Sequence, residues 1–141
     1  MNIRKMLSAA VVFSALAACA QMPSSAFVVR SLDPEAANAL AADPSVLIVD
    51  VSDANAFLAA HIPGAVSIPR DDLRFRVHEL PSAVALRVLV YDEQGRRAHS
   101  AGVLMRDETG DDVFVLAGGM REWKRAGLPT IGRAGASYVL R

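Results

Sequence analysis

The stretch VLIVDVSDANAFLAAHIPGAVSIP, residues 46–69, decides the fold class. Its opening run, VLIVDV at 46–51, is apolar and β-branched without alternation, which marks a strand covered on both faces, as in a parallel sheet. Asp53 then caps a short helix carrying Phe57 and Leu58. Two more runs of the same kind follow, VLVY at 88–91 and VFVL at 113–116.

Helix signals fall between the strands. Asp33, Pro34 and Glu35 read as an N-cap with proline at the first helical position, leading through Leu40. Asp71 or Asp72 begins a third helix whose Leu73, Val77 and Leu80 share one face. A fourth follows Gly95, with Ala101, Leu104 and Met105 inward. A fifth follows the Gly118–Gly119 turn, bears Trp123 and stops at Gly127 with Pro129 beyond. Strand and helix alternate throughout, so the expected class is α/β, built as a single domain on a central parallel sheet.

Composition narrows the function classes. Fifteen basic residues face 15 acidic ones, scattered rather than clustered, and aromatic residues are not interleaved with them. A nucleic-acid partner is therefore not expected. The chain holds one cysteine, Cys19, so neither an internal disulfide nor a metal site built on several thiolates can form. No second carboxylate motif is assembled for a metal, and no cofactor is expected. The acidic run from Asp107 to Asp112 reads as a solvated loop, and His78 and His99 as surface residues.

The candidate site is VYDEQGRRA, residues 90–98. A strand ends, a turn with Gly95 follows, and Arg96 and Arg97 lead into a helix. Such a turn gathers backbone N–H groups at a helix N-terminus, where the dipole adds about half a positive charge. The result is an anion cradle formed by Asp92, Glu93, Gln94, Gly95, Arg96 and Arg97. Asp92 places a carboxylate inside it, and three roles are open. The carboxylate can fold over the N–H groups as a cap, with Arg97 as a pairing partner. The loop mouth can hold a ligand through Glu93, Gln94, Arg96 and Arg97. Asp92 can also act as nucleophile or base.

From Asp50 and Val51 through HIPGAVSIP at 61–69, the sequence resembles the rhodanese homology domain. LAGGMREW at 116–123 and AGLP at 126–129 resemble the family's closing block, while Gly95 and Arg97 match its Cys-x-x-Gly-x-Arg loop. The resemblance spans roughly 28–130. It implies a parallel sheet with helices on both faces and an active loop at a strand's C-terminal end. It also implies that Asp92 stands at the position of the family's persulfide-forming cysteine, leaving no catalytic residue in the family's sense. Ser52 and Ala56 stand where the family has an arginine and an acid that support the loop. His61 matches a structural hydrogen-bonding position beside the Pro63–Gly64 turn, and Trp123 a core position.

The N-terminus carries a different signal. Arg4 and Lys5 precede a largely apolar run from Met6 to Ala18, too short for the roughly 20 residues of a bilayer span but suited to a secretory leader. LAAC, Leu16 to Cys19, resembles the lipobox of bacterial lipoproteins. That resemblance implies a leader at 1–18, lipidation at Cys19, a short tether at 19–27, the domain at 28–130 and a loosely ordered tail at 131–141. Loss of Arg4 and Lys5 leaves 13 basic against 15 acidic residues. Ala20, where an Asp would signal inner-membrane retention, implies an outer-membrane lipoprotein facing the periplasm. The expected protein is thus a membrane-anchored binding or scaffolding module without sulfurtransferase activity. Its expected partner is an envelope protein or a small anionic ligand. The alternative is a sulfurtransferase-related enzyme or accessory with a ligand at the 92–97 loop.

Overall fold

The computed structural model describes residues 29–80 and 87–133. The leader, Cys19, the tether, the connection 81–86 and residues 134–141 lie outside the described residues. The three apolar runs become the central strands: β2 (Val46–Asp50), β4 (Arg87–Tyr91) and β5 (Asp112–Leu116). β1 (Arg30–Leu32) and β3 (Val66–Ser67) complete a five-stranded sheet in the order β1-β5-β4-β2-β3, with every pair parallel. Sequence patterning missed both outer strands. They are two or three residues long and partly exposed, so neither builds an apolar run.

Side chains of the inner strands alternate between two cores. Val49, Val88, Val90, Val113 and Val115 face one side with Leu73, Val77, Ala101 and Met105. Ile48, Leu89, Tyr91, Phe114 and Leu116 face the other with Ala37, Met120 and Trp123. Both faces are therefore covered, as continuous apolar strands require.

The helices start where their caps lie. α1 (Pro34–Ala41) and α2 (Ala54–Ala59) are capped by Asp33 and Asp53, which accept the N–H of Ala36 and Ala56 at 2.7 and 2.9 Å. α3 is shorter than its periodicity suggests, running only Leu73–Arg76 before a 3₁₀ turn at Val77–Glu79. Leu73 and Val77 are buried and Leu80 packs partly against the same core, so the expected face survives the change of helix type.

α4 (Ala98–Thr109) corrects the reading of the acidic run. Asp107 to Thr109 are its last turn, Gly110 ends it at φ 73°, and Asp112 already belongs to β5. A left-handed C-terminal residue is a position where glycine avoids the Cβ penalty. α5 (Gly119–Arg125) buries Trp123, whose indole N–H donates to the Pro129 carbonyl at 2.9 Å. Ile131, assigned from sequence to the tail, exchanges two backbone hydrogen bonds with His61 at 2.7 and 2.9 Å and so belongs to the domain. Among the described residues no helix is long and apolar enough to cross a membrane.

Candidate functional site

β2 and β4 are neighbours, yet the chain leaves them in opposite directions, β2 toward β3 and β4 toward β5. The C-terminal ends of such a strand pair diverge and open a crevice, the usual ligand position of an open α/β sheet. A cleft of about 410 Å³ lies there. Ser52, Asp53 and Ala56 line one bank, and Asp92, Glu93, Gln94, Arg96 and Arg97 the other. A larger cleft of about 530 Å³ runs between α3 and α4 beside Phe75. No unpartnered buried polar atom is found among its lining residues, so the crevice is the better candidate.

The Asp92 carboxylate is turned into the loop. One oxygen, Oδ2, accepts the backbone N–H groups of Arg96 at 3.2 Å and Arg97 at 3.0 Å. Arg97 occupies the N-cap position of α4 without a side-chain cap of its own, so Asp92 satisfies part of that helix's free N–H set from five residues upstream. The contact with Arg97 runs through its backbone rather than the expected guanidinium pairing. Both arginine side chains are exposed at the cleft mouth. The other carboxylate oxygen, Oδ1, is buried and has no hydrogen-bond partner, in a residue only 4% exposed.

The loop is held from beneath by the first turn of α5. Met120 and Arg121 donate their backbone N–H groups to the carbonyls of Asp92 and Glu93 at 2.9 and 3.0 Å. Lys124 reaches Glu93 at 3.4 Å, an exposed pair that adds little. A Cβ on Gly119 would stand 2.1 Å from the Asp92 carbonyl oxygen and 2.6 Å from the Gly95 nitrogen. Sequence reading assigned Gly118 and Gly119 only to a tight turn. Gly119 is also what lets α5 press against the loop.

Two further residues were missed as site residues. Ser52, 6% exposed, carries a hydroxyl oxygen that is buried and without a partner at the cleft. It stands two residues past the C-terminal end of β2, a parallel strand adjoining β4, which is the signal that could have found it. Beneath it lies Asp50, whose Oδ1 accepts the Ser52 N–H at 2.8 Å and whose Oδ2 has no partner. Burial pushes the Asp50 carboxyl above the usual carboxylate range, although Ser52 and the neighbouring Tyr91 hydroxyl oppose the shift. Burial likewise raises the Tyr91 phenol, which keeps its proton while its oxygen accepts the Ile62 N–H at 3.0 Å.

His61 lies away from the cleft. Its Nδ1 is 2.9 Å from the Phe57 carbonyl, and its ring stacks on Phe57 at 3.9 Å. Among the described residues, no group of three or more His, Cys, Asp and Glu could hold a metal ion.

Known proteins carry the same architecture. The family description "Rhodanese-like domain" matches residues 33–126. An uncharacterized protein of Synechocystis is 30% identical over 110 residues, covering 78% of this chain, and the chain spans only 60% of that protein's length. The thiosulfate sulfurtransferase GlpE of Shewanella oneidensis is 32% identical over 82 residues, covering 58% of this chain and 79% of its own. The crystal structure of the Alr3790 protein from Anabaena is 30% identical with a TM-score of 0.63, covering 72% of this chain and 81% of that one. The matched stretch takes in about two thirds of the chain, and the chain belongs to the rhodanese-like domain family.

Proposed function

We propose that this rhodanese-like domain is a membrane-anchored binding module of the bacterial envelope that does not transfer sulfur. The observation that carries the reading is the Asp92 carboxylate, seated on the N–H groups of Arg96 and Arg97. In the family's pattern this loop surrounds a cysteine, whose thiolate takes up a sulfur atom as a persulfide. A carboxylate oxygen forms no persulfide, and the one cysteine of the chain is Cys19, far from the loop in sequence and the proposed lipid attachment point. Support for anchoring comes from the lipobox-like LAAC at 16–19, which makes that cysteine a lipid attachment point. Several acyl chains on one residue give stable attachment, since each buried CH₂ contributes about 0.8 kcal/mol.

A thiosulfate:cyanide sulfurtransferase assay tests the reading, with no turnover above buffer as the expected result. Saturable turnover by the wild-type chain would sink it. Asp92→Cys supplies the missing thiol in a loop that retains its shape, and gain of sulfur transfer by this variant is expected. Radiolabelled palmitate incorporation that survives in a Cys19→Ala variant would overturn the anchoring part.

The exposed side chains of Arg96 and Arg97 at the cleft mouth favour a second reading, a sulfurtransferase-related accessory that holds an anionic or sulfur-carrying ligand. It requires thiosulfate or a persulfidated peptide to bind the wild-type loop, and calorimetric titration decides the point.

A further inference from the structure

We infer that the cleft between α3 and α4 is a self-association surface, on which a second copy of the chain docks across a two-fold axis with Phe75 of each copy in the cleft of the other. The inference goes beyond the proposed function and depends on neither its sulfur-transfer nor its anchoring part.

Phe75 is 78% exposed, the most exposed of the large hydrophobic residues described, and it stands on the rim of the cleft of about 530 Å³. Val103 and Leu104, half-buried on α4, give that cleft an apolar wall with surface still open to solvent. A large exposed aromatic beside an open apolar wall is the usual mark of a protein contact. Burying a phenylalanine side chain removes about 150–250 Å² from water. Two such rings make the core of a small interface, of the weak and reversible class.

The charges say which partner fits. From Pro69 the chain winds in tight turns: Asp72, Leu73 and Phe75 donate their N–H groups to the carbonyls of Pro69, Arg70 and Asp72 at 2.9, 3.3 and 2.9 Å. Residues three apart in such turns lie on one side, so Asp71 and Arg74 stand side by side on the cleft rim. Neither is engaged by the other. Among the described residues Arg74 forms no side-chain hydrogen bond or ion pair. Asp71, its side chain 91% exposed, meets only Arg70 at 3.9 Å, an exposed pair of little strength.

A two-fold axis runs the 71–75 segments of two copies antiparallel. Asp71 then faces the partner's Arg74 and Arg74 the partner's Asp71, because in an isologous contact residue i meets j and j meets i. The same axis carries each Phe75 ring onto the wall formed by the partner's Val103 and the partner's Leu104.

Other occupants match less well. Two acids, Asp71 and Asp107, and two bases, Arg70 and Arg74, line the cleft. An anionic membrane or an acidic protein meets the acids, and a basic partner meets the arginines. A like surface sets an opposite charge against each. A small polar ligand finds no buried unpartnered atom among the lining residues.

The test is sedimentation equilibrium of the full chain in density-matched detergent, with micelles in excess over protein. A monomer–dimer equilibrium is expected, with a Kd on the order of 100 µM, as for weak interfaces. Phe75→Ala should raise that constant by about tenfold or more, the loss of a central aromatic anchor. Arg74→Asp sets acid against acid and Asp71→Arg sets base against base, so each variant alone should stay monomeric where the wild-type chain is half dimeric. An equimolar mixture of the two should form a heterodimer, since both ion pairs are restored with all acid on one copy and all base on the other. Restoration requires two folded variants, which separates loss of a contact from misfolding.

A wild-type chain that stays monomeric up to about 1 mM overturns the inference and leaves the face to lipid or to a different protein. A dimer whose constant Phe75→Ala leaves unchanged overturns it as well, as does a mixture of the two charge variants that stays monomeric. None of these outcomes bears on the sulfurtransferase assay or on palmitate incorporation, by which the proposed function stands or falls.

Discussion

Asp50 and Asp92 sit at or just past the C-terminal ends of adjacent parallel strands, and their environments differ in an instructive way. Each is buried, each gives one oxygen to backbone N–H groups, and each leaves the other oxygen without a partner. Asp50 closes a tight two-residue turn onto Ser52 beneath the cleft, with Tyr91 against it. Asp92 reaches across a loop to the N-terminus of a twelve-residue helix, where the dipole favours a negative charge. The first carboxylate braces a strand end, whereas the second occupies a site. What separates them is the supply of N–H groups, not the residue type or the depth of burial.

The strongest way to break this comparison is to remove the support under one side only. Gly119→Ala drives a Cβ into the Asp92 carbonyl at a φ of +64°, and neither the turn nor the loop can yield without losing its backbone bonds. A loss of about 3 kcal/mol or more is expected in urea denaturation. A loss below about 1 kcal/mol would mean that the loop adapts freely.

Asp92→Ala comes next. It strips the two accepted N–H bonds at the start of α4 and should cost about 1–2 kcal/mol, the range for losing a helix cap. Thermal melts at neutral pH would read it.

Asp50→Asn keeps an acceptor for the Ser52 N–H and removes the buried charge. A carboxyl raised on folding holds its proton more tightly in the folded chain. Its contribution to stability therefore falls as pH climbs from the ordinary carboxylate range through the raised value. The variant should lose that decline, with a net change below about 1 kcal/mol at neutral pH. Denaturation midpoints at mildly acidic and neutral pH make the comparison, and an unaltered pH slope would remove Asp50 as its source.

The smallest effect is expected for Ser52→Ala. Deleting a buried hydroxyl that has no partner should leave stability within about 1 kcal/mol of wild type, on the stabilising side. A clear destabilisation would reveal a hydrogen bond that the static geometry does not contain.

These residues also mark how far the amino-acid order carries. Continuous apolar runs located β2, β4 and β5, because burial on both faces leaves its trace in every successive residue. Asp33 and Asp53 located two helix starts, since a cap acts within three residues of itself. The placement of Asp92 over its own loop was among the readings open from sequence, again a contact of short range.

What escaped was non-local. Gly119 matters through residues 92 and 95, on a different strand connection. Ser52 becomes a lining residue only when β2 pairs with β4 and the chain departs from each in opposite directions. β1 and β3 owe their existence to neighbours that pair with them, not to patterns of their own.

The bond from Met120 to the Asp92 carbonyl and the bond from Arg121 to Glu93 have a spectroscopic consequence. They tie the loop to the first turn of α5, and the chain's single tryptophan, Trp123, lies one turn further along the same helix. Its indole is 1% exposed and held by the Pro129 carbonyl, a setting in which small displacements alter emission. The protein therefore carries its own optical gauge of the cleft, readable without a label and without a substrate that turns over.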